Sequence, residues 1–345
     1  MNFEILFLDL EPLSASERAR LEARRVKLQK MRSSIEKAST ALRQIPTADR
    51  LPPRLLVREA FARRTVPAPA TDRVSDRRPL PRQDRPPATR LVSPNGIALK
   101  TYLLAMYIAQ TRPEGRKTRN TIPIDAEDRV SWVSLLATPA TPLKGRYSLA
   151  PRDKTRRQLM SALKRLSSPE VQLVRLPNSD KSVGKYEEFE LLHERGAPLD
   201  GGINDERYTV PVPGKNLLLS LPSGLLQNGW IHLLEDSEIA FLLMVSWLHA
   251  RYKTKDVFID SDRRLLQFGL SRDAYESHRF LRRCGLIDVD EDPRRHLEGG
   301  RVTDYAEDPN PRLHRFTLLK EGFQQSAAET IEAVITRRIG RESPR

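Results

Sequence analysis

The sequence contains only one cysteine, Cys284, in 345 residues. A single cysteine cannot form an intramolecular disulfide, and it cannot supply the thiolates of a structural zinc site. No apolar run approaches the roughly 18 residues that a membrane span requires. Glu4 and Asp9 lie in a start that would be basic in a secretion signal. These absences predict a soluble, cytoplasmic protein with no membrane partner.

Motifs of common catalytic sites are missing as well. The sequence has no Gly-x-x-x-x-Gly-Lys-Ser/Thr loop, which argues against a P-loop ATPase. Its histidines never form the His-x-His pair that supplies metal ligands in rolling-circle nickases; they stand at positions 193, 232, 249, 278, 296 and 314. The acidic groups at 260–262 and 288–292 fit helix capping and a solvated loop better than a metal site. We expect no enzyme, no catalytic residue, no metal and no cofactor.

Basic residues are abundant and unevenly placed. The chain has 59 Lys and Arg against 45 Asp and Glu, a net charge of +14 and a pI of about 10.0. Residues 1–90 hold 20 basic and 11 acidic residues, or +9, which leaves 14 − 9 = +5 for residues 91–345. The positive net charge of the whole chain favours a polyanionic partner, but the surfaces that contact it must be located segment by segment.

The N-terminal segment, residues 1–45, contains a helix with a seven-residue apolar period from residue 16 onward. Leu21, Leu28, Ile35 and Leu42 share one seam position, and Arg24 interrupts the other. Such a seam predicts either a coiled-coil homodimer through residues 16–45 or an amphipathic helix docked on its own protein.

Residues 46–92 are rich in proline and arginine and have no sustained period. Proline interrupts helices and cannot donate a backbone hydrogen bond to a neighbouring strand, so this stretch is predicted to be a disordered linker. Residues 91–345 are then expected to fold and to bind their partner without it.

Residues 93–200 predict a first winged-helix domain. A helix follows Asn95, a short strand covers 121–124, Asp125 caps a second helix, and residues 152–167 form a third. Strands at 171–174 and 186–192 flank a turn-rich loop, which completes the order of a winged helix. The candidate DNA-binding residues of this domain are Arg152, Lys154, Arg156, Arg157, Gln158, Lys164, Lys181 and Lys185.

Residues 201–325 predict a second winged-helix domain, followed by a C-terminal helix or tail at 326–345. An apolar helix after Asp236, a strand at 257–259, a helix after Asp260 and a third helix after Ser271 follow one another. A wing over 290–312 and a returning strand at 314–319 complete the pattern. The candidate DNA-binding residues here are Arg272, Tyr275, Arg279, Arg283, Arg294 and Arg295.

Two segments carry a family resemblance: Lys-Thr-Arg-Arg-Gln-Leu-Met-Ser-Ala-Leu-Lys-Arg-Leu at 154–166 and Phe-Leu-Arg-Arg-Cys-Gly-Leu-Ile at 280–287. With two unequal winged helices after a basic N-terminal region, the chain resembles plasmid replication initiators over about residues 95–320. The resemblance implies an α+β fold with tandem winged-helix domains and sequence-specific binding of an origin of replication.

Three functions from different classes fit these patterns. The first is a plasmid-type replication initiator, and the second is a transcription regulator that uses the same domains at promoters. In both, the partners are double-stranded DNA and the replication or transcription machinery, and the protein is associated with the nucleoid or a plasmid. The third is a scaffold whose winged helices bind proteins and not DNA.

Overall fold

The computed structural model describes residues 13–45, 51–67, 75–76, 79–112, 119–139, 150–214, 217–291, 297–298, 301–302 and 313–340. These residues form a mixed α and β structure, about half helical, with small antiparallel sheets, which confirms the mixed class expected from the sequence. The helices are α1 Ala15–Arg43, α2 Glu59–Ala62, α3 Pro87–Leu91, α4 Ala98–Gln110, α5 Trp132–Leu135, α6 Pro151–Leu166, α7 Gly224–Gln227, α8 Trp230–Leu233, α9 Asp236–Tyr252, α10 Ser261–Phe268, α11 Arg272–Tyr275, α12 Ser277–Arg283 and α13 Ala327–Gly340. The strands are β1 Arg54–Arg58, β2 Val174–Arg175, β3 Glu190–Leu191, β4 Leu218–Pro222, β5 Ile287–Asp290, β6 Leu297–Glu298, β7 Arg301–Val302 and β8 Arg315–Leu318.

The helix α1 docks on the body of its own chain. Its predicted seam is buried, and the helix packs against α5, α7 and α13. The approach is close at Gly229, where an added Cβ would lie 2.6 Å from Cγ2 of Ile35. Of the two alternatives for this helix, docking on its own chain is the arrangement in this structure.

Arg24 interrupts the heptad because it makes polar contacts at the same interface. Its guanidinium forms ion pairs with Glu235 at 2.9 Å and with the buried Glu238 at 2.5 Å. It also lies 3.9 Å from the ring centre of Phe280 in α12. A buried carboxylate is costly without a partner, so Arg24 fixes the position of α1 on α9 and α12.

The prediction of a disordered linker over residues 46–92 is wrong for the described parts of that stretch. β1 pairs antiparallel with β4 from Arg54↔Pro222 to Arg58↔Leu218, and Leu55, Val57 and Phe61 are fully buried. The prolines do not prevent this, because Pro52 and Pro53 precede the strand and Pro87 takes the first position of α3, where no amide donor is needed.

The first unit, residues 98–191, holds α4, α5, α6, β2 and β3 in that order. Arg119 forms an isolated bridge with Glu190, so β3 lies between Arg119 and β2. The strand expected at 121–124 is absent, and α5 is capped by Ser131 and not by Asp125. The reason is the side chain of Asn120, which donates a hydrogen bond to the Ile122 carbonyl and accepts one from the Ile122 amide. These local bonds take the place of hydrogen bonds to a neighbouring strand.

The second unit, residues 236–318, repeats this order, with its third helix divided in two. α9, α10, α11 and α12 precede β5, and β8 pairs with β5 on one side and bridges Val257 through Phe316 on the other. Gly269 ends α10 with φ 64°, a left-handed conformation that favours glycine. The predicted third helix is present but is divided at Glu276 into α11 and α12.

The buried apolar residues of both units, of α1 and of α13 belong to one continuous hydrophobic cluster. Trp132 lies in its first-unit part and Phe241 in its second-unit part, and Trp230 of α8 is also fully buried within it. The two units therefore share a core, to which the N-terminal segment contributes.

Candidate nucleic-acid interface

The helix α6 has one apolar face and one basic face. It carries six basic side chains and one acidic side chain, so its net charge is 6 − 1 = +5. Thr155, Leu159, Ala162, Leu163 and Leu166 are buried, which places that face against α4 and α5. The leucine spacing predicted from the sequence is confirmed, and the basic residues are left on the outer side.

The basic residues of α6 differ in whether a carboxylate already holds them. Arg152 pairs with Asp125 and donates to the Ala126 carbonyl at 2.7 Å, while Arg156 lies 4.0 Å from the same carboxylate. Lys154, Arg157 and Lys164 form no ion pair with a described carboxylate, and the last two are exposed. The outer face of α6 therefore presents uncompensated positive charge.

Gln158 is less accessible than the sequence implies. The residue is half-buried, and its Oε1 atom is enclosed without a hydrogen-bond partner. Its amide cannot reach a base edge from this position unless the side chain turns outward.

The loop between β2 and β3, residues 176–189, is ordered by its own acidic residues. The Ile124 amide donates to the Glu187 carboxylate at 3.2 Å, and Arg119 pairs with Glu188 at 2.5 Å. The hydrogen bond and charge of Arg119 hold the pKa of Glu188 below its usual value. Lys181 and Lys185 remain exposed with no ion pair to a described carboxylate, although the loop as a whole holds two basic and three acidic residues.

The corresponding residues of the second unit are largely engaged by other side chains. Arg279 pairs with Glu276 at 2.9 Å, and Arg282 pairs with Glu291 at 3.3 Å. Arg283 pairs with Glu17 of α1, and its side chain is only 9% exposed. Arg272 is exposed and has no described ion pair. Residues 272–283, which comprise α11, Glu276 and α12, carry four basic and two acidic residues, so their net charge is only 4 − 2 = +2.

Tyr275 belongs to an aromatic cluster and not to an open surface. Its ring lies 5.9 Å from that of Phe241 and 5.8 Å from that of Phe316, both edge-on. The Arg264 guanidinium stands 5.4 Å from the ring centre. Tyr275 is half-buried and packs against the core, and Arg283 pairs with Glu17 of α1, so both are less accessible to DNA than the sequence suggests. Arg294 and Arg295 lie outside the described residues.

Other chemistry is not indicated in the described part of the chain. No group of three or more His, Cys, Asp or Glu residues there could hold a metal ion. Cys284 is buried, and burial raises the pKa of its thiol. Among the described helices, none has both the length and the apolar character needed to cross a bilayer.

Sequence reasoning missed a set of arginines in the stretch taken for a linker. Arg82, Arg85 and Arg90 are held in defined positions around α3, next to the end of α6. Pro86-Pro87 before Ala-Thr-Arg-Leu was the available signal, because proline is favoured at the first helical position.

No protein-family model, curated protein or solved structure matches this chain.

Proposed function

We propose that this chain is a sequence-specific double-stranded DNA-binding protein, built on two winged-helix units, that acts as a plasmid-type replication initiator. α6 of the first unit enters the major groove, and the loop 176–189 contacts the adjoining phosphates. The second unit supports α1 and contributes fewer direct contacts.

The order of elements supports the winged-helix proposal for both units. Each has a helix, a bridging extended residue, two further helices, a strand, a loop and a returning strand. In each, the returning strand lies between the other two, through Glu190 in the first unit and Phe316 in the second. A winged helix places its third helix in the major groove, so α6 and the α11–α12 pair are the elements to compare.

The observation that carries the proposal is the outer face of α6. Arg157 and Lys164 project there without carboxylate partners, and Lys181 and Lys185 stand in the loop of the same unit. Uncompensated arginine and lysine on a helix and an adjoining loop fit the phosphates and base edges of duplex DNA. The smaller net charge of α11 and α12 is the reason for assigning base reading to the first unit.

The test is binding of the full chain to a fluorescent duplex, measured by anisotropy over a range of salt. With roughly 6–10 phosphates neutralised, log affinity should fall against log salt with a slope of about −5 to −9. Absence of duplex binding at low salt would contradict the proposal and favour the protein-binding scaffold.

A second step separates the initiator from the transcription regulator. Bound fragments are selected from the replicon that carries the gene and then sequenced. Iterated repeats beside an AT-rich tract are the expected outcome for an initiator, whereas a single palindrome upstream of the gene would indicate a regulator.

A further inference from the structure

Four arginines lie together around α3 without a carboxylate partner. Arg64, Arg82, Arg85 and Arg90 form no ion pair with a described carboxylate, and their hydrogen bonds run to backbone carbonyls. Carbonyl groups orient a guanidinium but leave its charge uncompensated. The carboxylate of Glu170 is bound by Arg165 and Ser168, so it does not neutralise them.

The hydrogen bonds hold these arginines in a fixed arrangement. Arg82 donates to the carbonyls of Arg90 at 2.7 Å and Val92 at 3.1 Å, and Arg85 donates through Nε to Leu80 at 2.8 Å. Both terminal nitrogens of Arg85 have no described acceptor. Arg82 is exposed and Arg85 half-exposed, so their remaining N–H groups can reach a ligand from solvent.

Arg64 and Arg90 lie beneath this surface, and Arg64 is unsatisfied there. Arg64 is 7% exposed, and its Nε and Nη1 atoms have no hydrogen-bond partner. A buried donor without an acceptor is costly, and more so when it is charged. Burial and the charges of Arg64 and Arg165 lower the pKa of Arg90, and Asp84 opposes this only in part. Burial and Arg165 likewise lower the pKa of Arg82.

The cluster connects the proposed DNA-binding elements of the two units. Arg165 in the last turn of α6 lies close enough to influence Arg82 and Arg90 electrostatically. On the other side, the Arg85 side chain packs on the turn between α10 and α11, where a Cβ added at Gly269 would lie 2.8 Å from Cγ of Arg85.

We propose that Arg64, Arg82, Arg85 and Arg90 form a phosphate-binding site between the two units, with Arg82 and Arg85 as its direct ligands. Arginine presents two parallel N–H groups that match two phosphate oxygens, so the two side chains can hold one phosphate in a fixed register. The phosphate is either a backbone group of DNA that spans from α6 to the α10–α11 turn, or a free phosphate or nucleotide. The DNA source rests on the proposed function, whereas the anion site does not.

The test uses the full chain with the double substitution Arg82→Gln and Arg85→Gln. Glutamine keeps an N–H donor for the Arg90 and Leu80 carbonyls but removes the charge. The matched control is Arg32→Gln with Arg43→Gln, which removes two exposed charges from α1. Arg82→Lys with Arg85→Lys keeps the charge and checks that any loss is electrostatic. Melting without phosphate confirms that each variant is folded.

Two measurements are made on every variant: the salt dependence of duplex affinity, and the rise in melting temperature with inorganic phosphate at constant ionic strength. If the source is DNA, the glutamine pair lowers the salt slope by about one unit, as the loss of one neutralised phosphate requires. If the source is free phosphate, the glutamine pair keeps the slope and loses the thermal stabilisation. In both cases the α1 control stays close to wild type, and the lysine pair, which keeps the charges but not the paired N–H groups, has a smaller effect than the glutamine pair.

The proposal is overturned if the glutamine pair equals the α1 control in both measurements. If the wild-type chain binds no duplex, the proposed function fails, and the phosphate-dependent melting alone decides the anion site. Stabilisation that the glutamine pair abolishes would then support the site, and stabilisation that it leaves unchanged would contradict it.

Discussion

Arg157 and Arg283 lie on the two helices that the sequence predicts to read DNA, and their surroundings differ. Arg157 is exposed and has no described ion pair, whereas Arg283 is held by Glu17 of α1. Burial would raise the pKa of Glu17, but Arg283 and Arg338 outweigh it and hold the pKa below its usual value. A guanidinium held by a partly buried ion pair would have to break that pair to bind a phosphate, so the basic residues of the two helices are not equivalent.

Arg283→Ala should therefore lower stability and leave duplex affinity unchanged. The substitution removes one partner of a partly buried pair, which costs about 1–3 kcal/mol in the free energy of unfolding. Urea denaturation measures the stability, and anisotropy on native protein measures the affinity. A clear loss of affinity with unchanged stability would show that Arg283 leaves Glu17 to contact DNA.

His232 makes the free energy of unfolding depend on pH in the acidic range. It is fully buried, and burial, together with the charges of Lys100 and Lys27, lowers its pKa from 6.5 to about 3. At a pH between these two pKa values, the histidine is protonated in the unfolded chain but not in the native state. The free energy of unfolding therefore decreases as pH falls from 6.5 toward 3. Asp236 acts in the opposite sense, because burial raises its pKa to about 6 and stability falls as pH rises toward that value.

His232→Asn should remove the histidine contribution while Asp236 and the other groups remain. Between pH 7 and pH 4.5 the wild-type protein should lose roughly 2–3 kcal/mol more unfolding free energy than the variant. Urea unfolding at the two pH values gives this difference directly. Equal losses in the two proteins would mean that His232 titrates normally in the folded state.

At the scale of elements, the long helices were predictable from the distribution of apolar residues. α6 occurs where its apolar period places it, because a helix with one apolar face has few ways to bury it, and α4 and α9 occur at long apolar stretches and are buried on nearly all sides. The strands predicted at 171–174 and 186–192 are shorter in the structure, at Val174–Arg175 and Glu190–Leu191, and the strand predicted at 121–124 is absent. Side-chain hydrogen bonds from Asn120 satisfy that backbone locally, and a pattern of apolar residues does not reveal them.

β1 and α3 could not be predicted because their stability comes from distant residues. β1 pairs with β4, more than 150 residues away, and the local abundance of proline argues against any strand. The same limit applies to the candidate site. The sequence identifies the basic face of α6, but the ion pair between Arg283 and Glu17 joins positions 266 apart and has no local signature.

The loop 176–189 should contact phosphates without reading bases. Lys181→Ala with Lys185→Ala is expected to weaken selected and random duplexes alike and to reduce the salt slope by about two units. Lys30→Ala with Lys37→Ala, two exposed lysines of α1, is the matched control and should change neither. A loss confined to the selected sequence would instead assign base reading to the loop.

For the whole molecule, the described parts of the N-terminal quarter belong to the fold. A fragment of residues 91–345 would lack α1 and β1, expose Leu219 and Leu221 of β4, and leave Glu238 without Arg24. The sequence-based expectation that this fragment folds and binds DNA is therefore revised.

The 91–345 fragment is expected to show no cooperative thermal unfolding, because burial of each large apolar side chain contributes about 1.5–3 kcal/mol and many are lost together. A 13–345 fragment, which keeps every described element, is the control and should melt like the full chain. Cooperative melting of the shorter fragment near the full-chain temperature would show that the second and first units fold without α1.

The central claim is that α6 reads the sequence of duplex DNA, and its most direct test is a comparison of two affinities. Dissociation constants of the wild-type chain, Arg156→Ala and Arg157→Ala are measured on a selected duplex and on a random one. Arginine paired with guanine discriminates by about 1–3 kcal/mol, so each substitution should weaken the selected site by roughly 10–150-fold and change random DNA by only a few-fold. Equal losses on both duplexes would contradict the claim, because the protein would then hold DNA by charge without reading it.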